Sequence, residues 1–386
     1  MAVLEQDLAR PTRWPVLDGF RGLAVLTVVA YHAVKIVLES QDLVHPDPTA
    51  VVLWPLGIGK FSVDAFFVLS GFLIVTAWDR RPRVGHFALR RVKRLWPAYL
   101  VAVVVLVPLV APEVLWSGRD LLALATLQGY LIPGLVDRVD VPMWSLTTEV
   151  HFYLLVPVLA PLLHRRFGRW ALLGAAIWVS VWWWGTAHLA FDMDGSLLPG
   201  RLPQFLLGAL VGICVREVGP SCRAWRIARS RPLALAAAAA LVALGCYLGA
   251  NGTYHRWDVG FDRGIETMSG LLLAFLLFHV VVREEEGEAR AALARPPLRV
   301  AGLVSYSLYL WHYPILLFAV EWLAVDQVPA MAIPAVGLGL GVTAVVTAIS
   351  YRWIERPLLY RSGRRTIPEV GTPVPAVTRT FSTSAT

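Results

Sequence analysis

The chain alternates between apolar runs of roughly twenty residues, the length an α-helix needs to cross a bilayer, and short polar stretches rich in arginine. The runs fall at about 17–38, 56–78, 95–111, 143–163, 170–189, 201–216, 232–250, 264–283, 301–322 and 331–353. This pattern predicts an all-α fold, a polytopic membrane helix bundle of about ten transmembrane helices. One further apolar run, Asp120–Ile132 (DLLALATLQGYLI), is only about 13 residues long, too short to cross comfortably. It is expected to be a re-entrant or interfacial segment on the outer side. Gln128 and the nearby Pro133-Gly134 suit irregular backbone lining a cavity.

Composition agrees with this reading. Hydrophobic residues make up 57% of the chain and charged residues 16%, which excludes an ordinary soluble enzyme. A net charge of +8 could point to nucleic acid, but the cations cluster between the apolar runs, where membrane topology accounts for them. With the amino terminus in the cytoplasm, ten spans put every basic cluster inside, from Arg10 and Arg13 to the tail from Arg352 to Arg365. The outer loops then hold Glu39, Asp42, Asp47, Asp192, Asp194, Asp258 and Asp326. If 120–132 crossed, every later cluster would face outward, against the positive-inside bias. Both termini are therefore expected in the cytoplasm of a cell-membrane protein. Three regions follow: an amino-terminal stretch 1–14, a membrane domain 15–357, and a Ser/Thr/Pro-rich tail 358–386 expected to be disordered. The first run lacks a small-x-small cleavage site and is expected to stay as a helix. Cys214, Cys222 and Cys246 have no metal-ligand spacing, and no metal is expected.

Several polar residues interrupt the apolar runs. In LDGFRGLAVLTVVAYH, Arg21 and His32 are eleven residues apart, three helical turns plus about 20°. They share a face, separated by roughly 16 Å of rise, and Asp18 lies on nearly the same face. Arg21 can be an interfacial anchor that snorkels to the headgroups, and His32 a hydrogen-bonded core histidine. Depth argues for more than that. His32 lies about 9 Å below the outer end of the first helix, Asp64 about 12 Å down the second and Glu149 about 9 Å down the fourth. His312 falls near mid-membrane in the ninth. Four ionisable groups from four helices in one layer argue for a pocket, because each alone is costly in a membrane. Asp64 has two readings: a pair with Lys60 one turn earlier, or an acceptor-orienting group. On the cytoplasmic side, FALRRVKRLW packs Arg90, Arg91, Lys93 and Arg94 at the mouth of the third helix. These can serve as topology anchors or, with paired guanidinium forks, as a phosphate clamp.

Taken together, these stretches resemble the acyltransferase-3 family of integral-membrane O-acyltransferases, which includes surface-glycan O-acetylases. LDGFRGLAVLTVVAYH is similar to the family's first helix, with its arginine, ten residues and histidine here as Arg21 and His32. SVDAFFVLSGFLI resembles the second helix, and RRVKR carries the family's Arg-x-x-Arg pair as Arg91 and Arg94. MWSLTTEVHFYLLVP resembles the Ser-Leu-x-x-Glu-x-x-Phe-Tyr element through Ser145, Leu146, Glu149, Phe152 and Tyr153. SYSLYLWHYPI and WIERP resemble the last two helices, so the likeness runs from about Pro15 to Pro357.

The resemblance implies transfer of an acyl group, often acetyl, from cytoplasmic acyl-CoA to an acceptor hydroxyl. The family's catalytic histidine maps to His32 and its acidic partner to Glu149. His32 would act as general base while Glu149, within hydrogen-bond reach directly or through one water, holds the ring; a covalent acyl-His32 relay is the alternative. The CoA phosphates would rest on Arg91 and Arg94, with Arg21 as a further contact. Asp64, Ser145 and His312 would bind substrate or support the site. Many surface-glycan members carry a fused extracytoplasmic esterase-like domain, whereas this chain has about 30 residues after Pro357, fewer than an ordinary domain. Members of the family without that domain act on glycans, glycolipids and small natural products; the expected acceptor is a glycan or glycolipid, with a small natural product such as a macrolide as the alternative. A membrane transporter is the competing class, since intramembrane charges also line permeation routes.

Overall fold

The computed structural model describes residues 2–8, 14–43, 51–77, 84–163, 197–218, 223–251, 259–285 and 293–360, with the isolated positions 174, 177, 178, 181 and 220. The described residues are mostly helical. They are α1 Ala2–Leu8, α2 Pro15–Ser40, α3 Ser62–Ala77, α4 Val84–Val110, α5 Gly118–Ala125, α6 Leu135–Val139, α7 Trp144–Leu163 and α8 Leu198–Ile213. There follow α9 Arg223–Ala228, α10 Arg231–Ala250, α11 Val259–Glu285, α12 Pro296–Leu303, α13 Ser305–Trp322, α14 Ala332–Ser350 and α15 Arg356–Tyr360.

The fold is an all-α polytopic membrane bundle. Among the described residues, seven helical stretches are long and apolar enough to cross a membrane, or eight if α12 and α13 make one bent span. This is fewer than the ten runs of the sequence. The run 143–163 forms the 20-residue α7, which is not among the seven. The run 301–322 is broken at Val304, where α12 and α13 meet at 76°. The run 170–189 lies almost wholly outside the described residues, as do 361–386 of the expected tail. Asp120–Ile132 does not form a long helix: α5 ends at Ala125, Leu127 takes a left-handed φ of 61°, and a short 3-10 turn spans Gly129–Leu131. Side chains tie this segment to its neighbours. Trp96 donates to Ala125 O at 3.0 Å, Tyr99 to Leu124 O at 2.8 Å, and His151 Nε2 lies 2.7 Å from Gln128 Oε1.

The second span begins as an 11-residue 3-10 helix, Val51–Phe61, before continuing as α3. Lipid offers no hydrophobic drive between helices, so small residues that let backbones approach hold such bundles together. Gly71 of α3 and Gly208 of α8 show this: a Cβ at either would collide with a backbone carbonyl of the other helix, Phe205 O or Val68 O. Gly22 and Gly302 do the same between α2 and α12. The bend at Val304 therefore lays α12 along the first turns of α2 and brings α13 beside the rest of it. Two apolar clusters flank the middle of the bundle, one around Val28, Leu106 and Leu310, the other around Phe20, Phe72 and Leu277. Phe66 packs against both.

Candidate active site

Between these clusters lies a cavity of about 700 Å³, counting the space at its open mouth. Five residues singled out from the sequence line it: Arg21, Arg91, Arg94, Ser145 and Glu149. Each comes from the start of a helix. Arg21 is near the beginning of α2, the arginine pair near that of α4, and Ser145 and Glu149 in the first turns of α7. Arg21 is held by Asp18, one turn earlier, at 3.1 Å. The Arg91 guanidinium sits over the rings of Tyr153, 4.7 Å from its centroid, and Phe87, at 5.2 Å. This arrangement fixes the guanidinium plane by cation–π contact. Glu149 Oε1 accepts hydrogen bonds from Ser70 at 3.0 Å and from the Tyr153 hydroxyl. Arg91 approaches the same hydroxyl at 3.5 Å, so the arginine, the phenol and the carboxylate form one chain along the wall.

Ser145 and Tyr309 lie together elsewhere in the lining. Their hydroxyl oxygens are 2.8 Å apart, and each can donate to Pro142 O at 3.0 Å. Beside the Tyr309 ring, with centroids 5.7 Å apart, is fully buried His312. His312 Nδ1 faces two carbonyl oxygens, Tyr309 O at 2.7 Å and Leu308 O at 3.2 Å, so that nitrogen carries the proton. Its Nε2 is then an acceptor, and His32 Nδ1–H donates to it at 2.8 Å. The tautomers follow from these bonds. His32 Nε2 is left with a free lone pair, the state a general base requires. Tyr31 and Tyr313 pack on the His32 ring at 5.2 and 5.1 Å between centroids.

A direct hydrogen bond between His32 and Glu149 is not what this geometry presents. His312 holds the His32 ring, and the bonds of Glu149 go to Ser70 and Tyr153. Residue counting gives depth along a helix but not the direction in which a side chain leaves it, so two residues at one depth need not meet. Asp64, near the charge of Lys60, also has partners that the sequence did not suggest. Its carboxylate is buried, bonded to Arg201 at 2.9 Å through Oδ1 and to Ser269 at 2.8 Å through Oδ2. Arg201 spends its other fork on Glu266 at 2.6 Å and lies 5.4 Å from the Trp144 ring centroid. Asp64 is not among the cavity-lining residues.

Sequence reasoning passed over Arg201, Glu266 and Ser269 in this network, and Ser70 and Tyr309 in the cavity wall. A signal existed for Arg201. Two carboxylates in different spans require a cation, and Arg201 stands at the start of its own run, where it reads as an anchor. Among the described residues, no group of three or more His, Cys, Asp and Glu is placed to hold a metal ion.

The sequence profile of the Acyl_transf_3 family, described as an acyltransferase domain, matches residues 14–352. The chain belongs to the acyltransferase-3 family. All of the cavity residues fall within the matched stretch. Among curated proteins, this acyltransferase-3 chain is 28% identical to the O-acetyltransferase OatA of Staphylococcus aureus (strain NCTC 8325 / PS 47), over 92% of this chain and 58% of that protein. It is 26% identical to the peptidoglycan O-acetyltransferase OatA of Listeria monocytogenes serovar 1/2a, over 91% of this chain and 57% of that protein. BcsY of Komagataeibacter xylinus, which carries the name of a membrane-bound transacylase, is 28% identical over 92% of this chain and 85% of its own length. The chain thus spans somewhat more than half the length of the OatA relatives. No solved structure matches it.

Proposed function

We propose that this acyltransferase-3 protein moves an acyl group, acetyl in the first instance, from acyl-CoA to a hydroxyl of a glycan or cell-wall polymer. The observation that carries the reading is the single cavity shared by Arg21, Arg91, Arg94, Glu149 and Ser145, with the hydrogen-bonded His32–His312 pair beside the Tyr309 ring in its wall. The guanidinium groups suit the phosphates of CoA, since planar forks bind phosphate oxygens in pairs. The extended thiol arm then runs through the cavity toward Ser145 and Tyr309. His32 Nε2 takes the proton of the attacking hydroxyl and later gives it to the departing thiolate, so one proton passes from acceptor to CoA. Glu149 acts within the cavity wall by holding Tyr153 against Arg91. The glycan acceptor is supported by the relatives named as O-acetyltransferases, one of them for peptidoglycan.

Ten spans with both termini in the cytoplasm, and residues 120–132 on the outer side, remain the topology we propose. The positive-inside distribution of arginine supports it. Reporters at Gly85 and Gly287 should read cytoplasmic and one at Asp47 external; the reverse at any of them contradicts it. Function is tested by mass spectrometry of surface glycans from a strain lacking this protein, with and without the restored gene. The expected result is an acetyl mass increment that depends on the protein. An increment found on a small natural product instead would replace the acceptor, and an unchanged acyl profile in every fraction would remove the enzymatic reading.

A further inference from the structure

From the hydroxyls of Ser145 and Tyr309 we infer a two-donor oxyanion site, with Tyr309 as a catalytic residue that binds the acyl carbonyl oxygen as it becomes negative. The inference rests on the proposal that the cavity holds an acyl thioester. The two hydroxyl oxygens are 2.8 Å apart, both line the cavity, and both belong to well-buried residues. Between them they have two protons but three possible bonds: one to each other and one each to Pro142 O. Whichever way the protons turn, one of those contacts stays unfilled. Pro142 O also lies within reach of the Trp144 backbone N–H, so it does not depend on both hydroxyls. Both protons thus have an acceptor at rest, but only a neutral hydroxyl or carbonyl oxygen, which can release one or both donors.

An acyl carbonyl in this part of the cavity accepts weakly from these hydroxyls before reaction and becomes the better partner during it. The acceptor oxygen bonds to the carbonyl carbon, and the C=O π pair moves onto the carbonyl oxygen. That oxyanion then accepts from Ser145 Oγ–H and Tyr309 Oη–H. When the pair returns, the C–S bond breaks and the thiolate leaves with the proton carried by His32. Hydrogen bonds to an anionic oxygen are roughly twice as strong as those to a neutral one. The gain is therefore larger in the transition state than in substrate binding, which is the condition for catalysis. The position fits the remaining chemistry. Tyr309 O accepts the His312 Nδ1 proton at 2.7 Å, and His312 holds His32, so the same residue joins the oxyanion donors to the base. No other hydroxyl pair lining the cavity has a hydrogen bond between its members among the described residues.

The test compares purified wild type, Tyr309→Phe, Ser145→Ala and Ser145→Thr in detergent, with acetyl-CoA and a hydroxylated acceptor. Removing one donor should lower kcat by about 100- to 1000-fold with little change in the affinity for acetyl-CoA, and Ser145→Thr should restore most of the rate. An independent readout is the infrared carbonyl stretch of 13C-labelled acetyl-CoA bound to a His32→Ala background. It should shift toward the free-thioester frequency when Tyr309→Phe is added. Full kcat in both Tyr309→Phe and Ser145→Ala would overturn the inference, as would a loss confined to KM or an unmoved carbonyl band. If wild type itself fails to bind acetyl-CoA, the cavity's assignment falls and this inference with it. Binding and turnover by wild type with full rates in the variants would remove this inference alone.

Discussion

Replacing His312 by leucine removes the acceptor for the His32 Nδ1 proton while filling most of the space of a side chain with no solvent exposure. The bond lost is 2.8 Å long and neutral in the resting pair. When His32 takes the acceptor's proton at Nε2, the same bond becomes charge-assisted. Hydrogen bonds to charged groups contribute about 1.5–3 kcal/mol, and a tenfold rate corresponds to about 1.36 kcal/mol. The expected loss in kcat is therefore about 10- to 150-fold. It should not be larger, because Tyr31 and Tyr313 still pack on the His32 ring and keep it in place. Affinity for acetyl-CoA should stay near wild type, since His312 lines no part of the arginine-bearing cavity. His312→Gln should recover part of the rate, because its amide oxygen can accept the same proton. The assay is steady-state transfer from labelled acetyl-CoA by purified protein, with thermal unfolding alongside to show that each variant is folded. Wild-type kcat in a folded His312→Leu variant would refute the assignment of His312 as the positioning residue. A large loss in Glu149→Gln with none in His312→Leu would return that role to Glu149.

The remaining predictions concern the donor clamp and the buried ion pairs. Arg91→Ala or Arg94→Ala should weaken acetyl-CoA binding by about tenfold or more, from the loss of charge-assisted bonds of 1.5–3 kcal/mol. Lysine should rescue only in part, because it keeps charge and loses the fork; unchanged affinity in the double Ala variant, by calorimetry in detergent, would reduce the cluster to a topology signal. Arg201→Met leaves Asp64 and Glu266 buried without their shared cation and should destabilise the fold by about 3–5 kcal/mol. Adding Asp64→Asn and Glu266→Gln should recover much of that loss, and a wild-type unfolding temperature in Arg201→Met alone would contradict the account.

The arginine side of the site was legible because its signals are local. Arg91 and Arg94 are one turn apart on one helix, and Arg21 lies on the same face as His32, so helical geometry alone aligns them. The layer of His32, Glu149 and His312 was legible as a depth, but not as a set of contacts. That His32 meets His312 depends on how α2 packs against α13, which the bend at Val304 and the close approach at Gly22 and Gly302 determine. Asp64 illustrates the same limit, since its partners Arg201 and Ser269 are 137 and 205 residues away. Apolar run lengths located most long helices, yet they could not foresee the 3-10 opening at Val51–Phe61 or the break inside 301–322. Gly57 and Gly59 in the first and Gly302 beside the second approach the backbones of other helices closely, which hydropathy does not encode.

The central claim is acyl transfer by His32 from a donor held in the adjoining cavity. The most direct measurement uses purified wild type and His32→Ala side by side, with labelled acetyl-CoA, a hydroxylated glycan acceptor and a parallel binding assay for acetyl-CoA. The account predicts that both proteins bind the donor with similar affinity, because His32 does not line the arginine-bearing cavity, and that only wild type labels the acceptor. Equal labelling by the two proteins would contradict it.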